Sequence, residues 1–341
     1  MLDYIIFLIP ILIILTNFLF KKKQILCSFT GNNHQKFANT ENIPLTGGIF
    51  FLLFISIYFF HELKNLHLFT SSILLVGLFS DLNIIKSPNK RFILQVIIVF
   101  LCVIFNDISI KNTGVDLLDK ILMFELFNHL FVTFCVLIII NGSNFIDGLN
   151  TLVVGYYISI ILIIFKLNFF QIIGLENSKI LYLLLVLGFI FFINLFNKMF
   201  LGDSGSYLFG FTISILLISL YSEYGYVSSF FIILLLWYPA FENLFSIIRK
   251  ISTKRSPLAP DQNHLHQLLF HYLYKKLDFK KKSLNSATAL IINIYNLFIF
   301  YIASNYIFNS QIQIILIILN IFTYSCLYYR LFNYKYGKFL N

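Results

Sequence analysis

The sequence predicts an all-α, polytopic integral membrane helix bundle, and three observations carry that prediction. Of 341 residues, 59% are hydrophobic and 12% charged, far more apolar than a soluble globular chain. The apolar runs are long, continuous and rich in Leu, Ile and Phe. They show no alternating ten-residue pattern, so helices and not barrel strands satisfy the backbone hydrogen bonds.

A membrane span takes about 20 apolar residues, with a range of roughly 17 to 25. On that measure eleven spans are expected, near 4–20, 43–60, 67–80, 92–105, 121–140, 149–165, 180–195, 204–221, 227–248, 284–307 and 311–329. The first run has no basic segment before it and no small-residue cleavage site after it, so it is expected to be a retained helix and not a removed signal peptide. Cys27, Cys102, Cys135 and Cys326 are scattered without CxxC spacing and indicate neither a disulfide framework nor a zinc site.

Eleven spans put the termini on opposite sides. With the N-terminus outside, 20 of the 25 Lys and Arg residues fall on cytoplasmic connections, as the positive-inside rule asks. The net charge of +10 is thereby explained as topology, and no nucleic-acid partner is required. The unusual polar stretches, at 42–48, 80–91, 141–152, 197–206 and 249–283, fall on that same side. One face of the membrane is therefore expected to hold a site.

Within 141–152, Asn141, Asn144 and Asp147 recur every three residues and share one face of a helix end. A helix cap and turn would account for Asp147 and Gly148 but leaves both asparagines unexplained. Asp81, Asp147 and Asp203 sit at the mouths of different spans. Acids at membrane depth are costly unless they face water or a cation. N-capping would serve for each singly, whereas three around one mouth suit Mg²⁺ held by one or two carboxylates and substrate phosphates.

Gly202 to Ser206 adds glycines and hydroxyls at a helix start, where free N–H groups favour phosphate. Phe200 could stack on a nucleobase or simply pack in the bundle. Lys86, Lys90, Arg91, Arg249, Lys250, Lys254 and Arg255 can pair with phosphates or anchor the membrane surface. His264 and His266, two apart, do not share a helix face, so an extended or irregular segment is expected. Without a third soft ligand nearby, donors for phosphate or sugar are at least as well supported as a zinc pair.

The ordered motifs are Q-K-F with P-x-x-G-G, G-x-x-S-D, S-P-x-x-R-F, N-x-x-N-x-x-D-G, F-L-G-D-S-G-S and R-S-P-x-x-P-D-x-x-H-x-H, running from about residue 35 to 270. In this order they resemble the polyprenyl-phosphate N-acetylhexosamine-1-phosphate transferases. The resemblance implies one transferase domain over 1–341, with its long cytoplasmic loop at 249–283. It implies transfer of sugar-1-phosphate from a UDP-N-acetylhexosamine to undecaprenyl phosphate, with Mg²⁺ or Mn²⁺, at the cytoplasmic face of a bacterial inner membrane.

By that resemblance Asp81, Asp147, Asp203, His264 and His266 form the catalytic set, with Asp203 and Asp81 as metal ligands. Phe200 is the uracil platform, and Asn141 and Asn144 join Asp147 in the nucleotide site. Lys36, Lys90, Arg91 and Arg255 bind substrate, and the two histidines contact diphosphate or sugar. Two positions depart from the family's pattern: Ser80 stands where an acid is common, and Gln267 where a third histidine is common. A secondary transporter would also carry intramembrane acids, but no internal repeat is evident and the polar groups gather at one face. An inactive homologue is the other alternative. The sugar, the glycan and the oligomeric state, a homodimer included, stay open.

Overall fold

The computed structural model describes residues 2–27, 43–172, 174–223, 225–254, 256 and 262–337. Among the described residues the regular structure is helical, with two isolated bridges, Cys27 to Pro44 and Leu45 to Phe200. The helices are α1 (Leu2–Lys23), α2 (Gly47–Tyr58), α3 (His67–Asp81), α4 (Pro88–Phe105), α5 (Asp116–Leu122), α6 (Glu125–Ile146), α7 (Leu152–Lys166) and α8 (Phe169–Ile172). They continue as α9 (Asn177–Leu195), α10 (Gly202–Glu223), α11 (Ser229–Leu235), α12 (Trp237–Ser252), α13 (Leu265–Lys276), α14 (Lys281–Ala303) and α15 (Ser310–Tyr336). The protein is a multi-pass membrane helix bundle.

Each expected span coincides with a helix or a broken pair, but among the described residues fewer than eleven are long and apolar enough to cross. Six described helices, α4, α6, α9, α10, α14 and α15, are long and apolar enough to cross, and α11 with α12 makes a seventh if the pair is one span. Helices α2, α3 and α7 hold 12, 15 and 15 residues. At 1.5 Å per residue they fall short of a hydrocarbon core of about 30 Å. Backbone demands cut two of them. Pro44 and Leu45 are drawn into the bridges and cannot join α2. Thr151, at φ 68°, closes the 147–151 turn and delays the start of α7.

The run expected at 227–248 is not one straight span, because it bends by 74° between α11 and α12. Pro239 explains the break: it has no N–H to give the Leu235 carbonyl one turn back. The Tyr156 hydroxyl donates to that carbonyl instead, at 2.7 Å. Trp237 Nε1 donates to Asn296 Oδ1 at 2.8 Å and fixes the start of α12 on α14. The bend turns Glu242, Asn243, Ser246 and Lys250 inward, while Leu244, Ile248 and Ile251 face outward.

Helix α10 is the centre of the bundle, and most of its surface is buried. Its neighbours approach through glycines, the usual route to close packing where lipid is as apolar as the protein. A Cβ at Gly77 of α3 would lie 2.3 Å from Ser204 Cα, and one at Gly48 of α2 would lie 2.7 Å from Gly205 Cα. Gly142 of α6 packs as tightly on the Pro239 carbonyl of α12. Backbone cannot yield as a flexible side-chain end can. Gly77→Ala should therefore destabilise the purified protein by about 1–3 kcal/mol, read as a lower melting temperature in detergent, whereas Gly188→Ala, whose Cβ would meet nothing within 4 Å, should not.

Candidate active site

The first amides of a helix have no partner within it. At the start of α10 they are supplied from another helix. Asp81, the last residue of α3, accepts from Asp203 N at 2.9 Å through Oδ1 and from Ser204 N at 3.1 Å through Oδ2. Gly202, at φ 71°, leaves room for this, since a Cβ there would meet Asp81 Oδ2 at 2.7 Å. N-capping thus falls to Asp81 and not to Asp203.

Asp203 is left to face three other elements. Its Oδ2 accepts from Ser80 Oγ at 2.5 Å and from Arg91 Nη1 at 2.7 Å, and its Oδ1 accepts from Asn144 Nδ2 at 2.7 Å. Arg91 Nη1 also lies 2.5 Å from Ser80 Oγ, and Asn144 reaches Ser206 Oγ at 3.2 Å. Ser80, where the family commonly has an acid, therefore bridges an arginine and a carboxylate. Helices α3, α4, α6 and α10 converge here. Asn141 sits one turn deeper on α6, donating to Gln95 Oε1 of α4 at 3.2 Å and to the Leu137 carbonyl at 2.9 Å.

A second cluster surrounds the histidines. His264 is the extended N-cap of α13 and His266 lies in its first turn, so the helix start supplies the bend that brings the rings together. They stack with centroids 5.7 Å apart and planes at 11°. Gln267 accepts from the His264 N–H at 3.4 Å, as the third helical residue of a capping box does. That hydrogen bond explains a glutamine where the family commonly carries a histidine. Glu242 of α12 lies 2.9 Å from His264 Nδ1 and accepts from Tyr324 of α15 at 2.9 Å.

Residues 144–148 join the clusters. Asn144 holds Asp203, and the Phe145 ring packs on His264 at 5.2 Å with Lys250 Nζ also 5.2 Å from its centroid. Gly148 lies under His266, where a Cβ would be 2.4 Å from Nε2. Amides brace the turn that follows: Asn285 Oδ1 accepts from Asn150 N at 2.8 Å, Asn150 donates to Asn197 at 2.6 Å, and Asn293 donates to the Thr151 carbonyl at 3.0 Å. Burial pushes the Asp147 carboxyl well above the ordinary carboxylate range, and the charges of Asp203 and Asp81 push the same way. Burial also lowers the His266 pKa to about 3, leaving that ring neutral.

Among the expected site residues, Asp81, Arg91, Asn144 and Asp203 form one connected cluster and His264 and His266 another. Asn141 lies deeper, Lys90 is exposed, and Phe200 is half-buried, its backbone bonded to Pro44 and Gly47. Lys36 and Arg255 lie outside the described residues. Glu242 and Tyr324 are additions that sequence reasoning missed. A readable signal existed for Glu242, the one acid in the run 227–248.

A carboxylate offers about four lone-pair sites. Ser80, Arg91 and Asn144 occupy three on Asp203, and among the described residues one on Oδ1 stays open. Among the described residues no three acids, histidines or cysteines are grouped as a complete metal site. One open carboxylate position fits a hard cation such as Mg²⁺, whose remaining ligands are commonly phosphates and water.

These clusters define a polytopic membrane protein with a carboxylate- and histidine-bearing centre at one end of its bundle. Residues 64–221 match the family model of Glycosyl transferase family 4, a stretch of somewhat less than half the chain. It is 36% identical over 142 residues to a Bacillus subtilis protein named as a probable undecaprenyl-phosphate N-acetylglucosaminyl 1-phosphate transferase, a match covering 39% of this chain. It is 24% identical over 227 residues, 66% of the chain, to a Thermotoga maritima undecaprenyl-phosphate alpha-N-acetylglucosaminyl 1-phosphate transferase. The matched stretches span 38% and 67% of those two relatives.

A carboxyl whose pKa rises on folding adds stability at low pH that is lost as pH rises through the folded value. Asp147→Asn should therefore melt higher than the parent protein in EDTA at pH 8, and the gap should narrow towards pH 5. Equal melting at both pH values would contradict a raised Asp147 pKa.

Proposed function

We propose that this protein transfers N-acetylhexosamine 1-phosphate from a UDP-sugar to undecaprenyl phosphate, releasing UMP. The observation behind this reading is the convergence of four helices on Asp203, joined through 144–148 to a stacked histidine pair. The relatives' names supply the substrate class. The 20-to-5 distribution of basic residues supports an inner-membrane protein whose site faces the cytoplasm. The transferase is taken as a single domain. No observation favours the transporter reading.

The lipid phosphate needs no dedicated base, because a phosphate monoester has a second pKa of about 6 and is mostly dianionic near neutral pH. Its oxygen bonds to the sugar-bearing phosphorus as the bond to the bridging oxygen breaks, and UMP leaves with that oxygen. Such transfers depend mainly on positioning and charge neutralisation. Asp203 and Asp81 would hold Mg²⁺ or Mn²⁺, which would supply charge neutralisation at the diphosphate. Arg91, Ser80 and Asn144 keep the Asp203 carboxylate in one orientation. His264 and His266 contact the diphosphate or sugar, while Asn141, Asn144, Asp147 and Phe200 serve the nucleotide. Lys36, Lys90 and Arg255 neutralise phosphate charge.

The test is to incubate the purified protein and undecaprenyl phosphate with separate UDP-sugars and follow UMP and lipid pyrophosphate by mass. A UDP-N-acetylhexosamine should be consumed, EDTA should stop the reaction, and Asp203→Asn should slow it about a thousandfold, roughly 4 kcal/mol of barrier. Turnover that survives EDTA or this substitution would refute the role given to Asp203.

A further inference from the structure

Glu242 lies outside the region matched to the family and outside every motif in the ordered set. It is fully buried on the inward face of α12, delivered there by the break at Leu236. A buried charge is costly unless hydrogen-bonded, and both of its oxygens are. Oε2 accepts from the Tyr324 hydroxyl and Oε1 faces His264 Nδ1, each at 2.9 Å.

We infer that Glu242, held by Tyr324, is the positioning residue for His264: it fixes the proton on Nδ1 and leaves Nε2 to face the substrate. An ionised carboxylate only accepts hydrogen bonds. With Tyr324 donating to one oxygen, the ring nitrogen at the other must donate as well. In the neutral ring Nε2 is then an acceptor, and in the charged ring a second donor. A carboxylate behind a working imidazole orients it, fixes its tautomer and stabilises its charged form. This inference rests on the role proposed above for His264.

The surroundings hold the ring as a positioning device requires. His266 stacks on one side of His264 and Phe145 packs at 5.2 Å. The residues just before the ring are tied to the same helix that supplies Tyr324. Arg249 Nη1 donates to the Asn263 carbonyl and to Tyr328 Oη, each at 2.9 Å. Lys335 Nζ donates to the Gln262 carbonyl at 3.1 Å and to Asn263 Oδ1 at 3.0 Å. Tyr324, Tyr328 and Lys335 are spaced by four and seven residues, so they lie along one face of α15. This face acts as a strut for the histidine segment.

The test uses full-length protein in detergent, labelled with ¹⁵N-histidine and without substrate. Imidazole proton–nitrogen correlations, with His264 assigned from its loss in His264→Asn, should show a proton on Nδ1. A His264 ring protonated on Nε2 alone overturns the inference whatever the enzyme's activity. In the transferase assay Glu242→Gln should lower kcat at least tenfold with KM for the UDP-sugar changed less than threefold. Tyr324→Phe, which keeps the ring packing, should lower kcat about threefold and stands in if Glu242→Gln does not fold. Unchanged kcat in the folded variants also overturns it. Parent protein that turns over no UDP-sugar, yet carries the Nδ1 proton, would refute the proposed reaction and leave the positioning geometry intact.

Discussion

The start of α10 is held by a carboxylate from another helix, and the rest of the centre depends on that grip. Asp81 satisfies the amides of Asp203 and Ser204, which α10 cannot satisfy itself. The negative charge also sits at the positive end of the helix dipole. Because Asp81 ends α3, the cap joins two helices as well as finishing one. Gly77 and Gly48 allow the close approach that the cap needs. Once the amides are satisfied, the Asp203 side chain is free to take Ser80, Arg91 and Asn144. A pair of neighbouring acids is thereby given two different tasks by geometry alone.

The second half of the centre depends on a break where the first depends on a cap. Pro239 removes one helical hydrogen bond, and Tyr156 takes up the freed carbonyl. The polar face of α12 then turns inward, bringing Glu242 to His264 and Lys250 to Phe145. The short segment 144–148 touches both halves, so displacement of either end of α6 would disturb both. Gly148 is constrained here by the ring of His266, not by its own backbone angles.

Much of this was legible in the sequence, for physical reasons. Long apolar runs must be helical in lipid, and every one of them coincides with a helix or a bent pair. The motif order resembles the family whose model matches residues 64–221, and Asp203, Arg91, Asn144, His264 and His266 all reach the centre. Run length alone could not tell a full span from a shorter helix such as α2, before which Leu45 pairs with Phe200. Nor could spacing reveal that Arg91 pairs with Asp203, 112 residues away, or that Asp81 caps a helix 122 residues on. The H-x-H pair is expected on an extended or irregular segment; His264 is extended, but it caps a helix whose first turn carries His266. Glu242 was passed over because its run read as one uniform span.

Asp81 works by capping α10, and amide exchange reads this directly. Hydrogen–deuterium exchange on the full-length protein in detergent, resolved to the peptide containing Asp203 and Ser204, should show both amides protected in the parent protein. In Asp81→Ala that protection should be lost at these first amides while the later turns of α10 stay protected. Equal protection with and without the Asp81 carboxylate would contradict the cap, and with it the placement of Asp203 derived from it.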